Sequence, residues 1–189
     1  MIKALIFDFY GVIRSDEYHG WLSRHSLESK GFKEIIGDLD KGLSTLDQFF
    51  NSLSKLSNMP PQKIREEFIT EGSLNEQLLA LILKLKKKYK IALLSNASSP
   101  HLRSVISTAG ISKLFDEIVI SSEIGHIKPS KEIFNYALDK IGIKPDEAVF
   151  IDDNINFVKQ ARKLGINSIN FTGVDSLISN LKEIGIIIK

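Results

Sequence analysis

AVFIDDN, residues 148–154, is an apolar run that stops abruptly on two neighbouring carboxylates, Asp152 and Asp153. An unbroken run suits a strand buried on both faces, whereas a strand with one wet face would alternate. The same shape recurs outward from it. Ile91–Leu94 ends on Ser95 and Asn96, IKALIF (residues 2–7) ends on Asp8, and Glu117–Ile120 and Ser168–Phe171 are further β-rich runs. Helical patterns lie near 99–109, 130–141, 155–164 and 174–182, so strand and helix alternate. That alternation predicts parallel βαβ crossovers in a doubly wound, Rossmann-like α/β sheet. The last run, Ile186–Ile188, is read as an added edge strand.

Residues 14–72 break the alternation and carry no strand pattern. Thr45 with Gln48 and Ser73 with Glu76 have the form of helix-start boxes, and Pro60 and Pro61 suit the first turn of another helix. Leu46, Phe49, Phe50 and Leu53 recur at helical spacing. Trp21, Phe32, Phe49, Phe50 and Phe68 are read as this segment's own core, with Arg14, Tyr18 and Trp21 as the residues able to face a substrate. Gly42 and Gly72 mark hinges or helix caps. The expected organisation is a sheet core from residues 1–13 and 76–189 with a small helical cap from 14–75 inserted into it.

Composition narrows the function classes. Of 189 residues 43% are hydrophobic and none is Cys, which excludes a disordered chain, a disulfide scaffold and a thiol nucleophile. Twenty-five basic against 23 acidic residues leave a net charge of +2, too balanced for a nucleic-acid binder. The lysine-rich KLKKKYK (84–90) reads as a solvated helix end. No apolar run spans a bilayer, and Asp8 interrupts the N-terminal run before it can act as a secretion signal. A cytoplasmic monomer or homodimer without membrane or nucleic-acid partners is expected. The four histidines, 19, 25, 101 and 126, show no metal-ligand spacing.

In an open parallel sheet, ligands bind beyond the carboxyl ends of the strands. Asp8, Ser95, Asn96, Asp152 and Asp153 all follow strands directly, and Lys128 lies on the loop after Glu117–Ile120, before Pro129 opens a helix. Singly, each strand-end Asp is ordinarily a turn or cap residue. Jointly, three carboxylates on one rim cannot all stay ionised without a cation among them. Oxygen ligands with positions left for water and phosphate favour Mg²⁺.

The segments DFYGVI (8–13), LSN (94–96), Lys128-Pro129 and IDDN (151–154) resemble, in order, the four motifs of the haloacid dehalogenase superfamily. The form with a helical cap after the first motif is the one matched. The resemblance implies a phosphorylated small molecule as substrate and Asp8 as nucleophile, forming an aspartyl-phosphate. It implies Mg²⁺ held by Asp8, the Tyr10 backbone carbonyl and Asp153, with Asp152 acting through water. Ser95, Asn96 and Lys128 would bind the phosphate, and Lys128 would also keep Asp8 ionised.

Tyr10 departs from the pattern. Phosphatases of the family carry a second Asp there, which protonates the leaving group and then activates water. A phenol of pKa about 10 is a poor base, and losing a positioned acid–base group costs about 10²- to 10⁴-fold. Slow phosphatase activity is therefore expected unless another residue substitutes, with Asp16, Glu17, His19 and His25 as candidates. A Tyr at this position resembles the family's 2-haloacid dehalogenases, which need no such acid. Yet their fourth motif resembles Ser-Ser-Asn rather than Asp152-Asp153-Asn154, and this chain has Phe134 and Val12 where they carry Tyr and Thr. A third reading is a protein that binds metal and phosphate without turnover.

Overall fold

The computed structural model describes residues 1–25, 27, 30–70 and 72–188, without the side chains of 17–19, 30 and 69–70. Glu17, Tyr18 and His19, singled out above, therefore have side chains outside the described residues. Five strands, β1 (Ala4–Phe7), β2 (Lys90–Ser95), β3 (Glu117–Ile120), β4 (Ala148–Asp152) and β5 (Asn167–Asn170), form one parallel sheet in the order β3-β2-β1-β4-β5. Chain order reverses at β1, so its carboxyl end opens onto the crevice where such sheets bind ligands.

The unbroken apolar runs are explained by burial on both faces. Leu5, Phe7, Val149 and Ile151 turn to one core, shared with Leu78 and Ile82 of α5 (Glu76–Leu85), Leu102 of α6 (Ser99–Thr108) and Leu177 of α10 (Val174–Glu183). Ala4, Ile6, Ala148 and Phe150 turn to the other, against Phe134 of α8 (Lys131–Ile141) and Ala161 of α9 (Ile155–Lys163). Each fully buried large apolar side chain contributes about 1.5–3 kcal/mol, which fixes register across the sheet.

Among the described residues, four helices are inserted between β1 and α5: α1 (Glu17–Arg24), α2 (Lys30–Asp40), α3 (Leu46–Ser57) and α4 (Pro61–Thr70). They enclose a core of their own around Trp21, Phe32, Leu39, Phe49, Leu53 and Phe68. Thr45 and Gln48 form the expected capping box of α3, each side chain accepting from the other residue's backbone N–H. The two chain passes joining the insert to the sheet lie side by side: Ser15 N–H donates to Ser73 O at 3.1 Å, and Asn75 N–H to Ile13 O at 2.8 Å.

Two expected elements differ. Asn75, not Ser73, caps α5, its side chain accepting from Leu78 N–H at 3.0 Å. Ser73 is engaged instead with Ser15, whose hydroxyl accepts from its N–H. Ile186–Ile188 forms no strand: Ile186 buries against the α5 and α10 side of the core, and Ile187 N–H donates to Tyr89 Oη at 3.1 Å. The lysine stretch is more than a solvated face, since Lys86 pairs with Asp116 at 2.6 Å and Lys90 Nζ donates to Ile141 O at 2.9 Å.

Candidate active site

Asp8, Asp152 and Asp153 stand at the carboxyl ends of the adjacent strands β1 and β4, which pair Phe7 with Ile151. Each offers a carboxylate oxygen within 4.8 Å of the other two. Lys128 reaches in from the loop before α8, its Nζ 2.8 Å from Asp8 Oδ1 and 2.7 Å from Asp152 Oδ2. Its ammonium is buried, over the rings of Phe150 and Phe157 at 5.6 and 5.2 Å. Aromatic faces suit a cation that has lost its water. The Lys128 backbone is fixed by the Asn96 amide, which donates to Lys128 O at 3.0 Å and accepts from Lys128 N–H at 2.8 Å.

Burial pushes the Asp8 carboxyl well above the usual carboxylate range; Lys128 opposes that shift and the Asp152 charge adds to it. Burial alone would lower the Lys128 ammonium, but Asp8 and Asp152 outweigh it and hold the group above the ordinary lysine value. Asp153 is also raised, by burial and by Asp152. One buried lysine thus leaves three crowded carboxylates under-neutralised, the electrostatic signature of a place for a second cation.

The carboxylates differ in what they have left to offer. Asp152 is committed on both oxygens, Oδ2 to Lys128 and Oδ1 to Asn154 N–H at 2.8 Å. Both described bonds to Asp8 fall on Oδ1, from Lys128 and from Phe9 N–H at 2.7 Å. Asp153 lies against Gly11, where a Cβ would stand 2.4 Å from its Oδ2, and the φ of +81° in this turn after β1 favours glycine. This donor set of hard oxygens on a close-fitting turn fits a divalent cation such as Mg²⁺. Ser95 lies at the end of β2, fully buried, with its Oγ lacking a protein partner.

The structure brings together Asp8, Ser95, Asn96, Lys128, Asp152 and Asp153 on one rim, with Tyr10 in the turn beside them, its ring edge-on to Phe9 at 5.0 Å. It engages His25 and Trp21 within the insert instead. Both pair with Glu67 at 2.8 Å, and Trp21 is fully buried among the insert's aromatics. His126 is exposed. Sequence reading missed Asp40, at the last residue of α2, whose carboxyl is pushed up to about 7 by burial, against Lys128 and with the Asp16 charge adding. It also missed Ser121, which opens the short helix α7 (Ser121–Ile124) and whose buried hydroxyl accepts from Ala97 N–H at 3.0 Å and donates to Asp40 O at 2.5 Å.

Comparison with known proteins agrees with this geometry. D-ribitol-5-phosphate phosphatase of Bacteroides thetaiotaomicron is 27% identical over 191 residues, covering 89% of this chain and 91% of that protein. Drimenol cyclase drtB of Aspergillus calidoustus is 28% identical over 97% of this chain, which spans only 37% of that larger protein. A crystal structure of a haloacid dehalogenase family enzyme from B. thetaiotaomicron, an aspartate-to-alanine mutant in complex with magnesium and inorganic phosphate, superposes with a TM-score of 0.74. It is 26% identical, over 89% of this chain and 93% of that one. A family model of haloacid dehalogenase-like hydrolases matches residues 2–165, and the chain belongs to that family of hydrolases.

Proposed function

We propose that this protein hydrolyses a small phosphorylated compound with Mg²⁺, through a phosphoryl group carried transiently by Asp8. The observation that carries the reading is the close set of Asp8, Asp152 and Lys128, all buried, with the exposed Asp153, beside the unpartnered Ser95 hydroxyl. Bound magnesium would supply charge neutralisation, allowing one anion to attack another. Asp8, Asp153 and the Tyr10 carbonyl are the proposed direct ligands. Asp152, with both oxygens already taken, fits an indirect role.

The remaining roles follow from the donors. Lys128 favours the ionised form of Asp8 against its burial and, with the Ser95 hydroxyl, meets the phosphoryl oxygens as charge accumulates. Asn96 acts on the lysine through two hydrogen bonds to its main chain, and so positions it. The ribitol phosphate phosphatase and the phosphate-bound neighbour support a phosphomonoester substrate. Dehalogenation of a 2-haloacid is disfavoured, because three carboxylates against one lysine would repel a carboxylate substrate.

The test is release of phosphate from p-nitrophenyl phosphate and of halide from 2-chloropropionate, each with Mg²⁺ and with EDTA. Phosphate release that needs Mg²⁺ and falls at least about 10³-fold in Asp8→Asn is expected. Halide release indifferent to EDTA would assign the dehalogenase reaction. Tight Mg²⁺ binding lost in Asp153→Asn, with no turnover of either compound, would make it a binding protein.

A further inference from the structure

A phosphatase without an acid at position 10 needs a proton donor from elsewhere, and the insert presents one. Asp40 ends α2, and its main chain is clamped to the sheet by the Ser121 hydroxyl at 2.5 Å. Ser121 directly follows Ile120, which pairs with Ser95 across β2 and β3. Two residues on, Gly42 at φ +72° presses so closely on the core that a Cβ there would stand 2.6 Å from Ser122 O. This end of α2 is thus seated at the carboxyl rim of the sheet, and the partly buried Asp40 carboxyl lies close enough to feel the charges of Lys128 and Asp16.

We propose that Asp40 is the acid–base residue of this reaction: it protonates the leaving alkoxide, then takes a proton from the water that releases phosphate from Asp8. The inference rests on the phosphatase reading above. In the first step the Asp8 oxygen–phosphorus bond forms as the ester oxygen–phosphorus bond breaks, and the Asp40 proton goes to the departing oxygen. In the second, water oxygen bonds to phosphorus, its proton passes to the Asp40 carboxylate, and the Asp8 carboxylate is released. The net reaction is phosphomonoester plus water to alcohol plus phosphate.

Two features keep the Asp40 proton available. A carboxylate at a helix C-terminus faces the negative end of the helix dipole, which favours the neutral acid. Burial and the Asp16 charge act in the same direction, with Lys128 opposing, and set the group near the pH at which a general acid works best. Of the other candidates within the described residues, His25 is held by Glu67 inside the insert, and Asp16 serves here as the charge that raises Asp40.

The test compares glycerol 3-phosphate, whose alkoxide leaves only with a proton, and p-nitrophenyl phosphate, whose phenolate leaves without one, both with saturating Mg²⁺. Asp40→Asn should lower kcat/KM on glycerol 3-phosphate by about 10²-fold or more, and the release of p-nitrophenol far less. It should also abolish the alkaline limb of the wild-type profile. Asp16→Asn should move that limb to lower pH. Tyr10→Asp placed in Asp40→Asn should restore alkyl phosphate turnover, which a misfolded variant would not show. Equal losses on both substrates, or an alkaline limb unmoved in Asp16→Asn, overturn the assignment of Asp40. A wild type that turns over neither ester until Tyr10→Asp is introduced also overturns it, while sparing Asp8. Turnover that survives Asp8→Asn removes the phosphatase reading itself.

Discussion

Lys128 neutralises Asp8 and Asp152 at once while buried under Phe150 and Phe157, so neither carboxylate has water to fall back on. Removing one partner of a buried ion pair costs more than the pair contributes, because the remaining charge stays desolvated. Lys128→Met is therefore expected to destabilise the fold by about 3–5 kcal/mol near neutral pH, as read by urea denaturation. The sign with pH follows: with the lysine gone the carboxylates must take protons to stay buried, so the loss grows as pH rises and shrinks in acid. Saturating Mg²⁺ should recover part of it, since a ligand of the native state alone stabilises that state. The strand-end residues of this cluster were readable in the sequence because each follows an apolar run that can only be a buried strand. Asp40 was not. An acid followed two residues later by Gly42 has the form of a helix end, and its approach to Lys128 depends on how a separate group of helices is seated.

At the scale of elements, α1 and α4 are tied by Glu67, which accepts from the Trp21 indole and pairs with His25, each at 2.8 Å. Burial would raise the Glu67 carboxyl, but the hydrogen bonds from His25 and Trp21 outweigh it and hold the group below its ordinary value. A carboxyl lowered in the folded state contributes stability above its unfolded pKa and loses it as pH falls through the folded one. The insert should therefore loosen in acid, beginning below about pH 4.5. Trp21 is the chain's one tryptophan, so its fluorescence reports this directly. A wild-type transition in that range, absent in Glu67→Gln, is expected; an identical transition in both would detach it from Glu67. The helices of the insert were legible from aromatic spacing, and the α3 cap from Thr45 and Gln48. The α5 start was misplaced because Ser73, a good cap by type, sits where the chain passes Ser15, leaving Asn75 as the first residue free to cap. The C-terminal isoleucines misled for a related reason. Ile186 gains more by filling the helix-side core than by extending a sheet edge.

The whole molecule consists of a sheet unit and a helical unit, one threaded into the other. The sheet has apolar layers on both faces, and the insert has its own aromatic centre. Replacing residues 16–72 by two glycines is expected to leave a cooperatively unfolding sheet with native-like circular dichroism, its melting temperature lowered by loss of the contacts at Ser121 and Ser122. A molten product would show that the insert completes the sheet's core. Fold class was legible at this scale because a sheet covered on both faces leaves unbroken apolar runs. The seating of one core on the other was not, since Asp40 O and Gly42 meet Ser121 and Ser122 from far along the chain, and no periodic pattern links such distant residues.

The touching chain passes at Ser15 and Ser73 have a consequence for how such a protein diversifies. A detour that leaves and rejoins at one point asks nothing of the sheet in geometry, and lengthening it adds only about 0.6 kcal/mol of closure entropy per doubling. The excursion can be lengthened, shortened or exchanged while the pocket floor keeps its shape. Novel selectivity can therefore arise here by splicing rather than by redesigning the chemistry underneath.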